Sequence, residues 1–317
     1  MEIHNCGTSY KTKEVGKFKS FLNTCVKQRY LLLMVLPSIV IIFLFNYLPM
    51  YGLVIAFKDF NIGKGIIGSP WVGLKWFRTF FSNPMAVRLI KNTLLLGLYY
   101  LLWSFPAPII LSILLNEVRN TKFKRFAQTI SYLPHFISVI IMIGLLKELC
   151  SIDGIFNEIR RAFGLEAVNF FARPEYFRTL FIGSGIWQHL GWGTIIYLAT
   201  ISSISLEMYE AAYIDGANRW HRIIYITLPA MKSTIMVLFI LNVGRILSLD
   251  YQKVLLMYNP QTYSTADIIG TYTYREGLQN ARYSYSAAVG LFMSIISFIF
   301  VFVTNKLSKM TTESSLW

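Results

Sequence analysis

Five stretches of this chain contain no Asp, Glu, Lys or Arg: residues 30–57, 92–116, 126–146, 179–206 and 283–305. A helix rises about 1.5 Å per residue, so each is long enough to cross roughly 30 Å of hydrocarbon. A sixth apolar block, 233–257, is interrupted by Arg245, Asp250 and Lys253. Lipid offers no partner to a free backbone N–H or C=O, so a spanning segment must be a helix or part of a closed barrel. No strand-like alternation runs through these blocks. The expectation is an all-α integral membrane protein of the cytoplasmic membrane. Its six helices are placed near 30–50, 93–115, 127–147, 179–201, 233–257 and 285–304, within one domain over 30–305.

Composition agrees. Charged residues are 15% of the 317, against about a quarter in soluble domains. The first span begins near Tyr30, too late and too long for a cleaved secretion signal. Net charge is +14, which on a soluble chain would raise nucleic acid as a partner. Here basic residues flank spans, and membrane lipid is the expected partner, with no nucleic acid. With the N-terminus inside, inner segments hold 15 Lys and Arg and outer segments 12. That asymmetry follows the positive-inside rule but is too small to fix orientation alone. Residues 1–29 read as a basic tail against the anionic inner surface, and 306–317 as a second tail. Cys6, Cys25 and Cys150 show neither a CxxC nor a zinc pattern, so no disulfide, metal or cofactor is expected.

Between the spans, the WVGLKWFRTFF portion of 58–91 sets Leu74, Phe77 and Phe81 at helical spacing, which suggests a short interfacial helix. NEVRNTKFKRFAQ is a basic connector, 150–178 a polar external segment, and 259–282 an external loop rich in Tyr, Thr and Asn.

The most polar long stretch of the second half is YEAAYIDGANRWHRIIYITLPA, residues 209–230. LEMYEAAYID favours helix. Asp215-Gly216 is a turn signal, because glycine accepts positive φ at little cost and aspartate tolerates the adjacent turn. ANRWHRIIYITL restarts a helix with Trp220, Ile223 and Ile224 on one side, and Pro229 is expected to end or kink it. A plain connector needs only a few polar residues. This one has a bend and an apolar flank, and reads as a docking element.

Glu210-Ala211-Ala212, then three residues, Gly216, nine residues, and Ile226-Thr227-Leu228-Pro229 closely resembles the EAA loop of binding-protein-dependent ABC importer permeases. VLPSIVIIFLFNYLPMYGLVIAFKDFN, GSPWVGLKWF and YLPHFIS are similar to permeases that import oligosaccharides or polysaccharide fragments. The resemblance implies a type I permease fold. Loop 206–230 would lie in the cytoplasm and couple to the cleft of an ABC ATPase, so both termini would be inside. Glu210 would meet a basic group in that cleft, Ala211 and Ala212 would allow close approach, and Gly216 would set the bend, with Asp215, Leu228 and Pro229 completing the element. It also implies a second, non-identical permease subunit, two ATPase subunits and an external solute-binding protein.

Arg245 lies deep in the fifth span, where a lone arginine costs about 2.5–3.5 kcal/mol on insertion scales. With Asn242 it could line a polar substrate path, or it could be held in a structural ion pair. Asp250, five residues on, would lie about 140° round an ideal helix, too far to pair with it. In the fourth span, Trp187, Gln188 and Trp192 combine flat faces with hydrogen-bonding groups that suit sugar rings, although packing explains them as well. Gly191 and Gly193 allow close helix contact. His135 and His189 sit in no metal-ligand or catalytic spacing and read as packing residues.

The chain has no GxxxxGK[ST] phosphate loop and no convergent catalytic set, so it is not expected to be an enzyme. A stand-alone channel or ion-driven carrier would leave the docking bracket without a purpose. Within the importer class, an amino acid or other small solute is the alternative cargo.

Overall fold

The computed structural model of the chain describes residues 26–312. Most of the expected basic tail 1–29, and residues 313–317, lie outside the described residues. Those described are almost wholly helical, and extended backbone pairs among them only in an isolated antiparallel bridge between Lys58 and Trp71.

Among the described residues, four segments are long and apolar enough to cross a membrane: Arg29–Phe57, Met85–Glu117, Arg219–Gly244 and Tyr283–Met310. The third expected span is instead two arms, Thr121–Phe136 and Val139–Leu149, that meet at 104°. Ile137 and Ser138 form the elbow, with Pro134 in the turn before it. The fourth is the helix Pro174–Ser202, which at 29 residues has the length of a span. Gln188, His189 and its glycines dilute its apolar run.

The chain divides after Val54. In the first unit, α1 (Arg29–Ile42) contains Pro37 and buries none of its residues. In the second, the principal helices are α2 (Lys75–Phe81), α3 (Met85–Ser104), α4 (Pro106–Glu117), α5 (Thr121–Tyr132), α6 (Val139–Leu149), α7 (Ile155–Ala162), α8 (Pro174–Ser202), α9 (Leu206–Ile214), α10 (Arg219–Arg222), α11 (Leu228–Gly244), α12 (Tyr251–Met257), α13 (Ile269–Tyr274) and α14 (Tyr283–Thr312). Residues 306–312 continue α14, so the expected tail there begins as helix.

Helix α8 is central and packs against α3, α4, α5, α11 and α12. In lipid, a leucine gains little by exchanging acyl chains for protein, so cohesion depends on close backbone approach and hydrogen bonds. Gly191 of α8 abuts the Ser131 carbonyl of α5, a place that no Cβ could share. Gly193 faces the Pro108 ring. Gln188 is buried, and its Nε2 donates to the Ile137 carbonyl at 2.8 Å. That bond satisfies an acceptor which the elbow removes from the helical ladder.

The segment 259–282, expected as an external loop, is structured. It folds into short helical turns and α13, with Ala266, Asp267, Ile268, Ile269, Thr271 and Tyr272 buried. Hydrogen bonds explain why so polar a stretch can pack. Asn92 Nδ2 donates to the carbonyls of Ser264 and Asp267, and Ile269 N–H donates to Thr93 Oγ1. The Asp267 carboxylate is held by Arg275 at 2.9 Å and Thr271 at 2.8 Å. The short helix expected in 58–91 is α2, but its anchors are Phe80 and Trp76. Leu74 and Phe81 face outward, and Phe80 packs with Tyr272, Tyr285 and Val289.

Candidate functional site

The expected fifth span is broken. Helix α11 ends at Gly244, and tight turns follow, closed by Arg245 N–H to Asn242 O, Ile246 N–H to Val243 O and Ser248 N–H to Arg245 O. Asp250 then caps α12, its Oδ1 accepting from Lys253 N–H at 3.1 Å. Non-helical backbone at membrane depth survives only within protein or beside a water-filled cavity. The break lies against a cavity of about 560 Å³, lined by residues of α3, α4, α8, α11, the break itself and α12.

Asn242, Arg245, Asp250, Gln188 and Trp192 all line this cavity. The expectation that Arg245 and Asp250 point apart round one helix needs correcting, because no single helix joins them. They flank the break and share the cavity, yet form no ion pair with each other. Arg245 is exposed, and its guanidinium has no hydrogen-bond or ion-pair partner among the described residues. Trp187 is not brought in. One residue from Gln188 turns the helix by about 100°, and Trp187 stands half-exposed outside the lining.

Trp192 lies flat on His135, with ring centroids 4.5 Å apart and planes 6° apart, and meets Phe136 edge-on. His135 Nδ1 and His189 Nδ1 are 3.2 Å apart, so one ring donates to the other according to tautomer. Both histidines line the cavity, as do Tyr100 and Tyr197.

Sequence reasoning gave no role to Lys253. It lines the cavity but is buried, with Nζ donating to the Phe181 carbonyl at 2.8 Å and lying 4.6 Å from the Phe181 ring centroid. The available signal was a lysine three residues after an aspartate inside an apolar block, the spacing of a helix cap.

The polar bracket is a second site. Ser205 caps α9 by accepting from Glu207 N–H, and α9 closes on Gly216 at φ +78°. Gly216 N–H donates to Tyr213 O and Ala217 N–H to Ala212 O at 2.8 Å. This paired closure requires a left-handed residue after the C-cap, which glycine supplies. Asn218 Oδ1 then caps α10 through His221 N–H. Tyr209 OH and Thr227 Oγ1, 2.9 Å apart, tie α9 to the start of the next span. Glu210, Ala211, Asp215 and Gly216 are exposed and Ala212 and Leu228 half-buried. Leu206, Tyr213, Ile214 and Trp220 are each more than 70% exposed, an apolar surface that implies a partner.

Pro229 does not end the helix, which runs unbroken from Arg219 to Gly244. A π turn over Ile223–Thr227 precedes it, with Leu228 N–H reaching back to Ile223 O. That wider turn accommodates the proline, which has no N–H to give.

The family described as "Binding-protein-dependent transport system inner membrane component" matches residues 104–311. The polygalacturonan/rhamnogalacturonan transport system permease protein YteP of Bacillus subtilis (strain 168) is 45% identical over 302 residues, covering 95% of this chain and 94% of YteP. Protein LplB of the same organism is 41% identical over 303 residues, covering 95% of each. A chain from the crystal structure of a bacterial alginate ABC transporter, in complex with its alginate pentasaccharide-bound periplasmic protein, aligns with a TM-score of 0.85 at 40% identity. It covers 93% of this chain and 99% of that one. On these matches the chain belongs to the family of inner membrane components of binding-protein-dependent transport systems.

Proposed function

We propose that this permease moves oligosaccharides or polysaccharide fragments across the cytoplasmic membrane, as one half of a pathway completed by a second, non-identical permease. Two ABC ATPase subunits would sit beneath it and a solute-binding protein outside. The observation that carries the cargo reading is the 45% identity, over 95% of the chain, to a permease named for polygalacturonan and rhamnogalacturonan. The cavity supports it. Trp192, Tyr100 and Tyr197 offer aromatic faces, and Asn242, Ser248 and Arg245 offer hydrogen-bonding groups, the mixture that a ring with an apolar face and a hydroxylated edge requires.

In this reading α9 enters a cleft of the ATPase. Glu210 makes a charge-assisted contact there, Ala211 and Ala212 let the helix approach, and Asp215, Gly216, Leu228 and Pro229 hold the angle to α11. The topology has six spans, with both termini and loop 206–230 in the cytoplasm. Rigid-body movement of the helices would tie closure of the cytoplasmic face to opening of the cavity outward.

The test is ATP-dependent uptake by proteoliposomes carrying both permeases and the ATPases, supplied with the binding protein. Accumulation of labelled oligosaccharide is expected. Transport of an amino acid, with no uptake of any oligosaccharide, would reverse the choice of cargo.

A further inference from the structure

The ionic groups lining the cavity are unbalanced. Besides its two histidines it has two cations, Arg245 and Lys253, and one acid, Asp250. That acid already has a task, because its Oδ1 accepts from Lys253 N–H at the start of α12. The Lys253 ammonium has three donors, of which the structure pairs one, to the Phe181 carbonyl. Apart from Asp250, which acts on it through space, its neighbours are a carbonyl and a ring face, weak counter-groups for a charge held away from water.

Space for this amine is specifically kept. A Cβ on Gly185 would lie 2.8 Å from Tyr100 Cε2 and 3.2 Å from Lys253 Nζ, so glycine keeps room for both side chains. Arg245, with its planar fork of donors, has no acceptor among the described residues. A cation at membrane depth is costly, and a path for neutral sugars could be lined by amides and hydroxyls alone.

Resting on the oligosaccharide reading above, we infer that Arg245 and Lys253 together receive substrate carboxylates and make the permease selective for acidic, uronate-containing oligosaccharides. Arg245 takes a carboxylate through two parallel N–H bonds. Lys253 offers its remaining donors as a point charge from the α12 side. Asp250 orients α12 and repels a carboxylate that enters out of register. The polymers named for YteP and for the alginate transporter are built largely of uronic acids, which is the ligand chemistry that this lining fits.

The experiment measures uptake of labelled trigalacturonate and of its carboxyl-reduced, neutral counterpart by the complete reconstituted complex. The chains compared are wild type, R245M, R245K and K253M. For wild type, trigalacturonate uptake is expected to exceed that of the neutral trimer. R245M and K253M should each lower trigalacturonate uptake tenfold or more. The fall should lie in the maximal rate, with the half-saturating concentration of loaded binding protein unchanged, and R245K should recover at least a third of it. Arg245 is exposed, so the R245M and R245K pair decides the matter even if K253M fails to assemble. Wild-type uptake by R245M, or an R245K as poor as R245M, overturns the inference. A wild type that moves the neutral trimer and not trigalacturonate also overturns it and leaves the oligosaccharide reading standing. Failure to move either trimer, or any other oligosaccharide, removes that reading as well.

Discussion

Replacing Gly216 isolates what the bracket contributes to coupling. Its φ is +78°, and a Cβ placed there would meet nothing within 4 Å. Any penalty therefore comes from the backbone conformation and not from a clash. An L residue forced into the left-handed region costs about 1–2 kcal/mol, asparagine less, and a β-branched residue more. At about 1.4 kcal/mol per tenfold, Gly216→Ala should leave the closed bracket several-fold to thirty-fold less populated. The expected order of coupling is Gly, Asn, Ala, Val. What fails is local: the bonds from Gly216 N–H to Tyr213 O and Ala217 N–H to Ala212 O open, and α9 loses its fixed angle to α10. Insertion and pairing with the second permease should be untouched. The assay is ATPase activity stimulated by loaded binding protein, with uptake, in proteoliposomes. Full stimulation and full uptake by Gly216→Val would refute the reasoning, and so would Asn performing worse than Val.

Three further outcomes are expected. In a chain lacking Cys6 and Cys25, cysteines at Asn218 and Asn280 should react with membrane-impermeant maleimide from the cytoplasmic and outer sides respectively; reaction from one side only sinks the six-span topology. Burial pushes the native Cys150 thiol up to about 11, so it should stay silent at neutral pH and react only as the medium approaches that value, since the thiolate is the nucleophile. Arg275→Met strands the Asp267 carboxylate, which is 1% exposed, and should destabilise the purified complex by about 3–5 kcal/mol. Adding Asp267→Asn should restore most of the loss in thermal melts, and a single variant that melts like wild type would contradict this.

Much of this molecule is legible in the sequence because lipid removes alternatives. A charge-free run of span length must be helical, and the described residues are nearly all helix. The bracket was legible for a different reason. Asp215-Gly216 allows one economical backbone solution, and the glycine adopts it. The packing of the segment 259–282 was not legible, because polarity alone does not say which side chains are buried. Thr271 accepts from Ile268 N–H and Asn259 donates to the Phe171 carbonyl, as Asn92 and Thr93 serve backbone groups from α3. Only the partner's identity can make a polar residue internal, and composition does not contain it. The elbow after Pro134 was hidden similarly, since the carbonyl it frees is met by Gln188 from 51 positions away.

The break in the fifth span shows how charge should be read at membrane depth. Treated as one helix, 233–257 sets Arg245 and Asp250 on different faces, and each needs its own partner. Nothing forces that helix to be continuous. A run that contains Gly244, Ser248, Asp250 and two cations can exchange a few helical bonds for tight turns, a cap and a cavity lined by polar groups. The exchange is favourable when the charges would otherwise face lipid, because one break turns all of them toward a cavity lined by protein. Asp250 then serves as the cap for the helix that carries Lys253, and Arg245 stands at the end of the helix that carries Asn242. The charges in this span thus mark where the helix yields, and the site lies where it yields.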